Sequence, residues 1–327
     1  MRVLVTGASS LIGGGVAHAL ASRGDDVVCF QRSRAAAVDD LEQRLGDVRD
    51  AAAVSAAAAG CDAIVHVAAK VGVSGAWAEY RSINVDGTTN VMVAARDGGV
   101  GRVVHVSSPS VAHGGEPIVG GAADPPVVGR RRAWYAESKA LAEVAALGSA
   151  SDELGVVAIR PHLVWGPGDT QLVGRIVERA RSGRLALVGG GTALVDTTYI
   201  DNAVGALVAA LDAVGPRVPC SGDAYVVANG EPRMISELVQ GICAAAGVPF
   251  EPRDVPLPVA RSLGTIVERV WPLLRSDDEP PLTRFLAEQL GTAHWFDPRP
   301  ARDDLGWVPE VTIDQGLDRL RDWYAAS

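Results

Sequence analysis

The amino-acid sequence predicts an α/β fold, with a doubly wound parallel sheet and a smaller mixed α/β domain beside it. Three observations lead there. Short apolar runs rich in β-branched residues recur through the first half, at residues 3–5, 27–30, 63–67, 103–106 and 156–159. Ala-rich amphipathic stretches lie between them, at 13–21, 51–59, 85–96 and 135–147. Past residue 168 the alternation loosens into helix-like segments at 172–181 and 202–211, a glycine-rich turn at 189–191 and a strand at 224–227. Strands that are apolar throughout and separated by helices belong in a parallel sheet covered on both faces.

The first strand runs into Gly7, Ala8, Ser9, Ser10, Leu11, Ile12 and Gly13, and then into the first helix. Glycine at position 7 permits a tight turn that a Cβ resists, and glycine at 13 lets the helix pack closely on the sheet. A helix N-terminus placed here offers unpaired N–H groups and partial positive charge to a pyrophosphate. Glycine spacing alone is weak; its position between a strand and an amphipathic helix gives it weight against a plain turn. The second strand ends in Phe30, Gln31, Arg32, Ser33 and Arg34. No acid stands there to hold the adenosine ribose hydroxyls. Arg32, with Arg34, suits a 2′-phosphate instead. The residues favour NADP(H), with NAD(H) as the alternative.

The strand at 103–106 continues into Ser107, Ser108, Pro109 and Ser110, at the carboxyl edge where such sheets bind ligands. A hydroxyl at this edge can stabilise a developing alkoxide, and Ser108 is the candidate. Ser107 and Ser110 also read as turn-forming serines. The helix at 135–147 opens with Tyr135 and Lys139, four apart and on one face. A free tyrosine has a pKa of about 10, and a neighbouring ammonium lowers it towards the working range. The chain has 30 Lys plus Arg, of which only Lys70 and Lys139 are lysines. A lysine kept against that background points to a need for a compact ammonium. Ser108, Tyr135 and Lys139 thus predict hydride transfer between a ketone and a secondary alcohol.

The segment 256–274 has apolar residues at helical spacing, consistent with a substrate-covering helix, a membrane-surface helix or plain packing. The formal charge of −9 excludes a nucleic-acid surface, and the run Arg130, Arg131, Arg132 reads as a solvated loop. Cys29, Cys61, Cys220 and Cys243 form no CxxC pair, so reduced, buried thiols and no metal site are expected. There is no signal-like N-terminus and no apolar run of about 18 residues, which predicts a cytoplasmic protein without a membrane span.

These residues, with Gly46, His66, Gly87, Thr88, Arg160, Tyr199 and Trp307, resemble the extended short-chain dehydrogenase/reductase superfamily, the NAD-dependent epimerases and dehydratases. The resemblance implies a Rossmann dinucleotide-binding domain over 1–162, with returning segments near 196–228 and 293–306. A substrate-binding domain would comprise 163–195, 229–292 and 307–327. It implies that Asp47 and Val48 meet the adenine, that Ala68, Ala69, Lys70 and Asn84 belong to the cofactor site, and that Ser107, Tyr135 and Lys139 reach the nicotinamide ribose. Pro161, His162 and Leu163 would lie beside the nicotinamide. One departure is Ser10, which stands where the family has glycine; its hydroxyl is a candidate donor to the pyrophosphate. A homodimer through 85–96 and 141–147 is also implied.

Within the superfamily the chain looks like the 3β-hydroxysteroid dehydrogenase branch and is similar to bacterial 2-alkyl-3-oxoalkanoate reductases. The implied small-molecule substrate is apolar and bulky, either a branched β-keto acid or a 3-oxo steroid. The pocket segments are 71–77, 163–165 and 271–274, with Lys70, His113, Thr197 and Thr198 as polar partners; Trp77 and Trp165 read better as core. The rivals are a sugar-nucleotide epimerase/dehydratase and a non-catalytic NADP(H)-sensing regulator, which would need neither Tyr135 nor Lys139.

Overall fold

The apolar runs assemble side by side because each is buried on both faces. Seven strands form one parallel sheet: β1 (Arg2–Thr6), β2 (Asp26–Gln31), β3 (Glu42–Leu45), β4 (Ala63–His66), β5 (Arg102–Val106), β6 (Gly155–Pro161) and β7 (Ala224–Val227). Their order is β7-β6-β5-β4-β1-β2-β3. The chain moves outward from β1 and returns to β4 on its other side, so a crevice opens at the carboxyl edge between the two. The computed structural model describes residues 1–72, 75–129, 133–271 and 282–326. The arginine run 130–132, residues 73 and 74 of the pocket segment 71–77, and 272–274 of the segment 271–274 lie outside the described residues.

Strand β3 escaped sequence reading for a physical reason. Its residues Glu42, Gln43, Arg44 and Leu45 pair only with β2 at the sheet edge, and none is buried. An edge strand needs no apolar pattern. Helices α1 (Leu11–Ser22) and α5 (Ile200–Ala213) cover one face, burying Val16, Leu20, Leu207 and Leu211. Helices α2 (Ala51–Ala58), α3 (Gly87–Asp97) and α4 (Trp134–Leu147) cover the other, burying Val54, Val91 and Ala146. The helix expected at 85–96 is entered through a π-helical turn, Arg81–Asp86.

The smaller part holds a mixed four-stranded sheet in the order Arg233–Met234, Leu194–Val195, His294–Phe296, Ile118–Gly121. Helix Leu257–Val270 accounts for the periodicity at 256–274, but its buried face is made of small residues. Ala260 and Gly264 are buried; a Cβ at 264 would stand 2.5 Å from the Arg284 nitrogen on the helix packed beside it. Val259, Leu263, Ile266 and Val270 are exposed. Among the described residues no helix is long and apolar enough to cross a membrane. All four cysteines are buried and free.

Candidate active site

At the end of β1 the chain turns through Gly7, whose φ of +71° suits glycine. The turn is closed tightly. A Cβ on Gly7 would lie 2.8 Å from the Ala68 backbone, and one on Gly13 would lie 2.3 Å from the Gly7 carbonyl oxygen. Ser10 caps α1: its hydroxyl accepts from Gly13 N at 3.1 Å and donates to the Gly7 carbonyl at 2.8 Å. In this arrangement the Ser10 proton goes to the Gly7 carbonyl, and Ser10 still lines the cavity.

A buried hydrogen-bond chain fixes the opposite wall. Ala68 N donates to Thr6 Oγ1 at 3.2 Å, and Thr6 donates to His66 Nδ1 at 2.7 Å. Thr88 gives its proton to the Asn84 carbonyl at 2.6 Å, so His66 Nε2 is the donor in its 3.0 Å bond to Thr88. Asn84 then grips the Lys70 main chain from both sides, accepting from its N at 2.7 Å and donating to its O at 3.0 Å. Asn84 also donates to Ser138, which bonds the Tyr135 carbonyl. Asn84 does not line the cavity; it positions residues that do.

That cavity, of about 780 Å³, occupies the crevice at the carboxyl edge. It is lined by Gly7, Ser9, Ser10, Leu11 and Ile12 from the turn, Arg32 after β2, and Asp47 and Val48 after β3. Ala68, Ala69 and Lys70 follow β4, Ser107 and Ser108 follow β5, and Pro161, His162 and Leu163 come from the end of β6. Tyr135 and Lys139 reach it from α4. Gly13 lies behind the turn and does not line it. Arg32 is exposed and near Asp47, whose carboxyl is held low by hydrogen bonds and an ion pair to Arg49. Lys70 pairs with Glu79 at 3.1 Å.

The Tyr135 hydroxyl is hydrogen-bonded to Ser108. Ser108 Oγ also accepts from Ser110 Oγ at 2.9 Å, so Ser110 orients its neighbour. The Ser107 hydroxyl is buried in the cavity wall with no hydrogen-bond partner among the described residues. Lys139 Nζ donates to the Val106 carbonyl at 2.6 Å; burial lowers its pKa to about 8, with Glu143 opposing. Burial raises the Tyr135 phenol above its ordinary value, and Ser108 alone opposes that. This corrects the expected electrostatics: the ammonium is directed at Val106, and the phenol is held protonated. One turn beyond Lys139, Glu143 receives two bonds from Arg160, at 2.8 and 2.5 Å, which pins α4 to β6. The stack Tyr135, Lys139, Glu143 follows one helix face, half-buried at Tyr135 and buried at Lys139 and Glu143.

The candidate polar partners His113, Thr197 and Thr198 lie elsewhere, as do the two tryptophans read as core. Thr197 accepts from the fully buried Trp165 indole, and Thr198 donates to the His162 and Val227 carbonyls. His113 is buried beside His294 and Phe285, and Trp77 packs on Trp134. None of these five lines the cavity. Sequence reading missed Phe285 and Gln289, which enter from helix Arg284–Gly291, and also Gln171 and Arg175. No local pattern marks them, because a short amphipathic helix reads as packing. The residues present fit a dinucleotide: a backbone turn that a Cβ would block, a helix N-terminus above it and an unpartnered buried hydroxyl at Ser107.

A model of the NAD dependent epimerase/dehydratase family matches residues 3–228. The chain is similar to a 2-alkyl-3-oxoalkanoate reductase of Stenotrophomonas maltophilia (strain K279a), 47% identical over 100% of both chains. It is also similar to a 3-beta-hydroxysteroid dehydrogenase of Mycolicibacterium neoaurum, 32% identical over 99% of this chain and 91% of that one. Among solved structures, MoeE5 in complex with UDP-glucose and NAD superposes with a TM-score of 0.75 at 25% identity, covering 100% and 99% of the two chains. With a seven-stranded parallel sheet, a glycine turn and a crevice at its carboxyl edge in place, the chain belongs to the NAD dependent epimerase/dehydratase family, in its 3β-hydroxysteroid dehydrogenase-like branch, as an NAD(P)-dependent oxidoreductase.

Proposed function

We propose that the chain is an NADP(H)-dependent reductase of 2-alkyl-3-oxoalkanoates, β-keto acids with long apolar chains. The observation that carries this reading is the Tyr135 phenol, kept protonated by burial and hydrogen-bonded to Ser108 inside the cavity. A protonated phenol is the form a ketone reduction requires as proton donor. When bound, a reduced nicotinamide supplies the hydride. Ser108 holds the carbonyl oxygen, and Tyr135 transfers its proton to that oxygen as the alkoxide develops. Lys139, with Ser107, would hold the ribose hydroxyls of the cofactor. Leu163, Val164, Leu172 and Phe285 provide apolar wall for the alkyl chains. The 47% identity to a 2-alkyl-3-oxoalkanoate reductase over the full length of both chains supports the substrate class.

Arg32 supports the phosphorylated cofactor, because β2 ends without a carboxylate and this guanidinium lines the cavity. The chain pairs as a homodimer through α3 and α4, where Val93 and Val144 are exposed. Steady-state rates with a 2-alkyl-3-oxoalkanoate, a 3β-hydroxysteroid and a UDP-sugar, each with NADPH or NADH or their oxidised forms, test the reading. The expected result is turnover of the β-keto acid with NADPH preferred, and about tenfold weaker NADPH binding in Arg32→Ala with NADH affinity unchanged. Steroid-only or UDP-sugar-only turnover would overturn it.

A further inference from the structure

The proposed reduction gives a place to the ketone and the alkyl chains of its substrate, but none to the carboxylate. An anion enters an apolar-walled cavity at low cost only where a cation meets it. Among the described residues, the cations that line this cavity are Arg32, Lys70, Lys139 and Arg175. Arg32 follows β2, near Asp47. Lys139 is directed at the Val106 carbonyl. Lys70 pairs with Glu79 at 3.1 Å, with its ammonium 5.1 Å from the centre of the Tyr80 ring. Arg175 enters with the apolar wall of Leu163, Leu172 and Phe285.

The local sequence sets the direction of this arginine. Helix Val173–Arg181 buries Val173, Val177 and Ala180. Helical periodicity therefore turns Arg175 to the opposite side, where it is exposed at the rim of the cavity it lines. The helix start is fixed by Asp169, whose carboxylate accepts from Gln171 N at 2.7 Å, Leu172 N at 3.1 Å and Val173 N at 2.9 Å. That cavity-lining carboxylate is engaged with main chain. Gln171 Oε1 accepts from Arg175 Nη2 at 3.2 Å, which orients the guanidinium through a neutral acceptor. Gln289 lines the same cavity from helix Arg284–Gly291 and adds an amide donor.

Resting on the proposed function, we propose that Arg175, oriented by Gln171, binds the carboxylate of the β-keto acid and so selects acids over neutral ketones. A planar guanidinium meets a carboxylate through two parallel hydrogen bonds. The carboxylate stands one carbon from the ketone. Holding it aims the ketone at Ser108 and Tyr135 and leaves the alkyl chains to the apolar wall. A 3-oxo steroid offers no anion and gains nothing from this arginine.

The test uses a 2-alkyl-3-hydroxyalkanoate and its methyl ester, which keeps the alcohol and both chains but lacks the charge. Each is oxidised by NADP⁺, with the NADPH formed followed by absorbance, in wild type, Arg175→Met, Arg175→Lys and Lys70→Met. The expected result for Arg175→Met is a KM for the acid raised about tenfold, with kcat within about twofold and less than about twofold change in kcat/KM for the ester. Arg175→Lys, which keeps the charge but not the fork, recovers part of the loss. NADPH affinity, from its fluorescence, stays within about twofold of wild type in Arg175→Met. Equal losses for acid and ester, or a matching loss of NADPH affinity, would overturn the inference. So would a preference for the acid that is lost in Lys70→Met and kept in Arg175→Met. A wild type that oxidises neither substrate would instead defeat the functional reading on which it rests.

Discussion

The two ends of the cavity are built by different means. The dinucleotide end is made by the chain segments that leave β1, β2, β3 and β4, and its shape is set by backbone: the Gly7 turn, the Gly13 approach and the Ala68 wall. The end proposed for the substrate takes side chains from segments far apart in the sequence, Leu163 and Val164, then Leu172 and Arg175, then Phe285 and Gln289. A backbone-built surface tolerates few residue types and binds one shape. A surface built of side chains on separate helices can change substrate by single substitutions while the fold stays intact.

That contrast predicts unequal responses to mutation, the largest at the dinucleotide end. Gly13→Ala places a methyl group 2.3 Å from the Gly7 carbonyl, a contact only backbone movement can relieve. Thermal unfolding should report a loss of about 3 kcal/mol, and NADPH fluorescence titration should show no saturable binding. A variant of wild-type stability and affinity would mean that the turn is looser than described.

Acid titration reaches both ends at once. His66 at the dinucleotide end, and His162 and His294 near the substrate end, have pKa values lowered by burial to about 3, 4 and 3. The folded forms are neutral, while the unfolded chain takes up protons below about 6.5, so stability is present above that value and falls as pH drops. Each histidine contributes up to about 1.4 kcal/mol per pH unit until its folded pKa is reached. Asp196, raised to about 6 by burial, works in the opposite sense between that value and 3.8 and offsets one of them. Urea unfolding at pH 7, 6 and 5 should show a steepening loss, and a flat profile would contradict the neutral histidines.

Phe285→Ala removes an apolar wall from the substrate end only. It should raise KM for a long-chain β-keto acid about tenfold, at about 1.4 kcal/mol, with NADPH affinity unchanged. A matching loss of cofactor affinity would blur the division between the two ends.

The same division explains what could be read from the sequence. Gly7, Gly13 and the Tyr135–Lys139 pair lie within short stretches whose spacing carries their meaning, and the structure brings Gly7, Tyr135 and Lys139 to one cavity with Gly13 behind its turn. Phe285 and Gln289 carry no local mark, because their place depends on how helix Arg284–Gly291 packs on Leu257–Val270. Strand β3 is polar and at an edge, so periodicity does not reveal it. Electrostatics was the least legible. Four-residue spacing placed Lys139 next to Tyr135, but only the fold shows the ammonium bonded to Val106 and the phenol raised by burial. Ser10 likewise shows its helix cap only in the fold.

The most direct measurement is single-turnover reduction of a 2-alkyl-3-oxoalkanoate by NADPH with wild type and Tyr135→Phe, alongside NADPH binding. The account predicts a rate lower by about a thousandfold in the variant, with the dissociation constant of NADPH within about twofold of wild type. A variant that reduces the ketone at the wild-type rate would show that the proton comes from elsewhere.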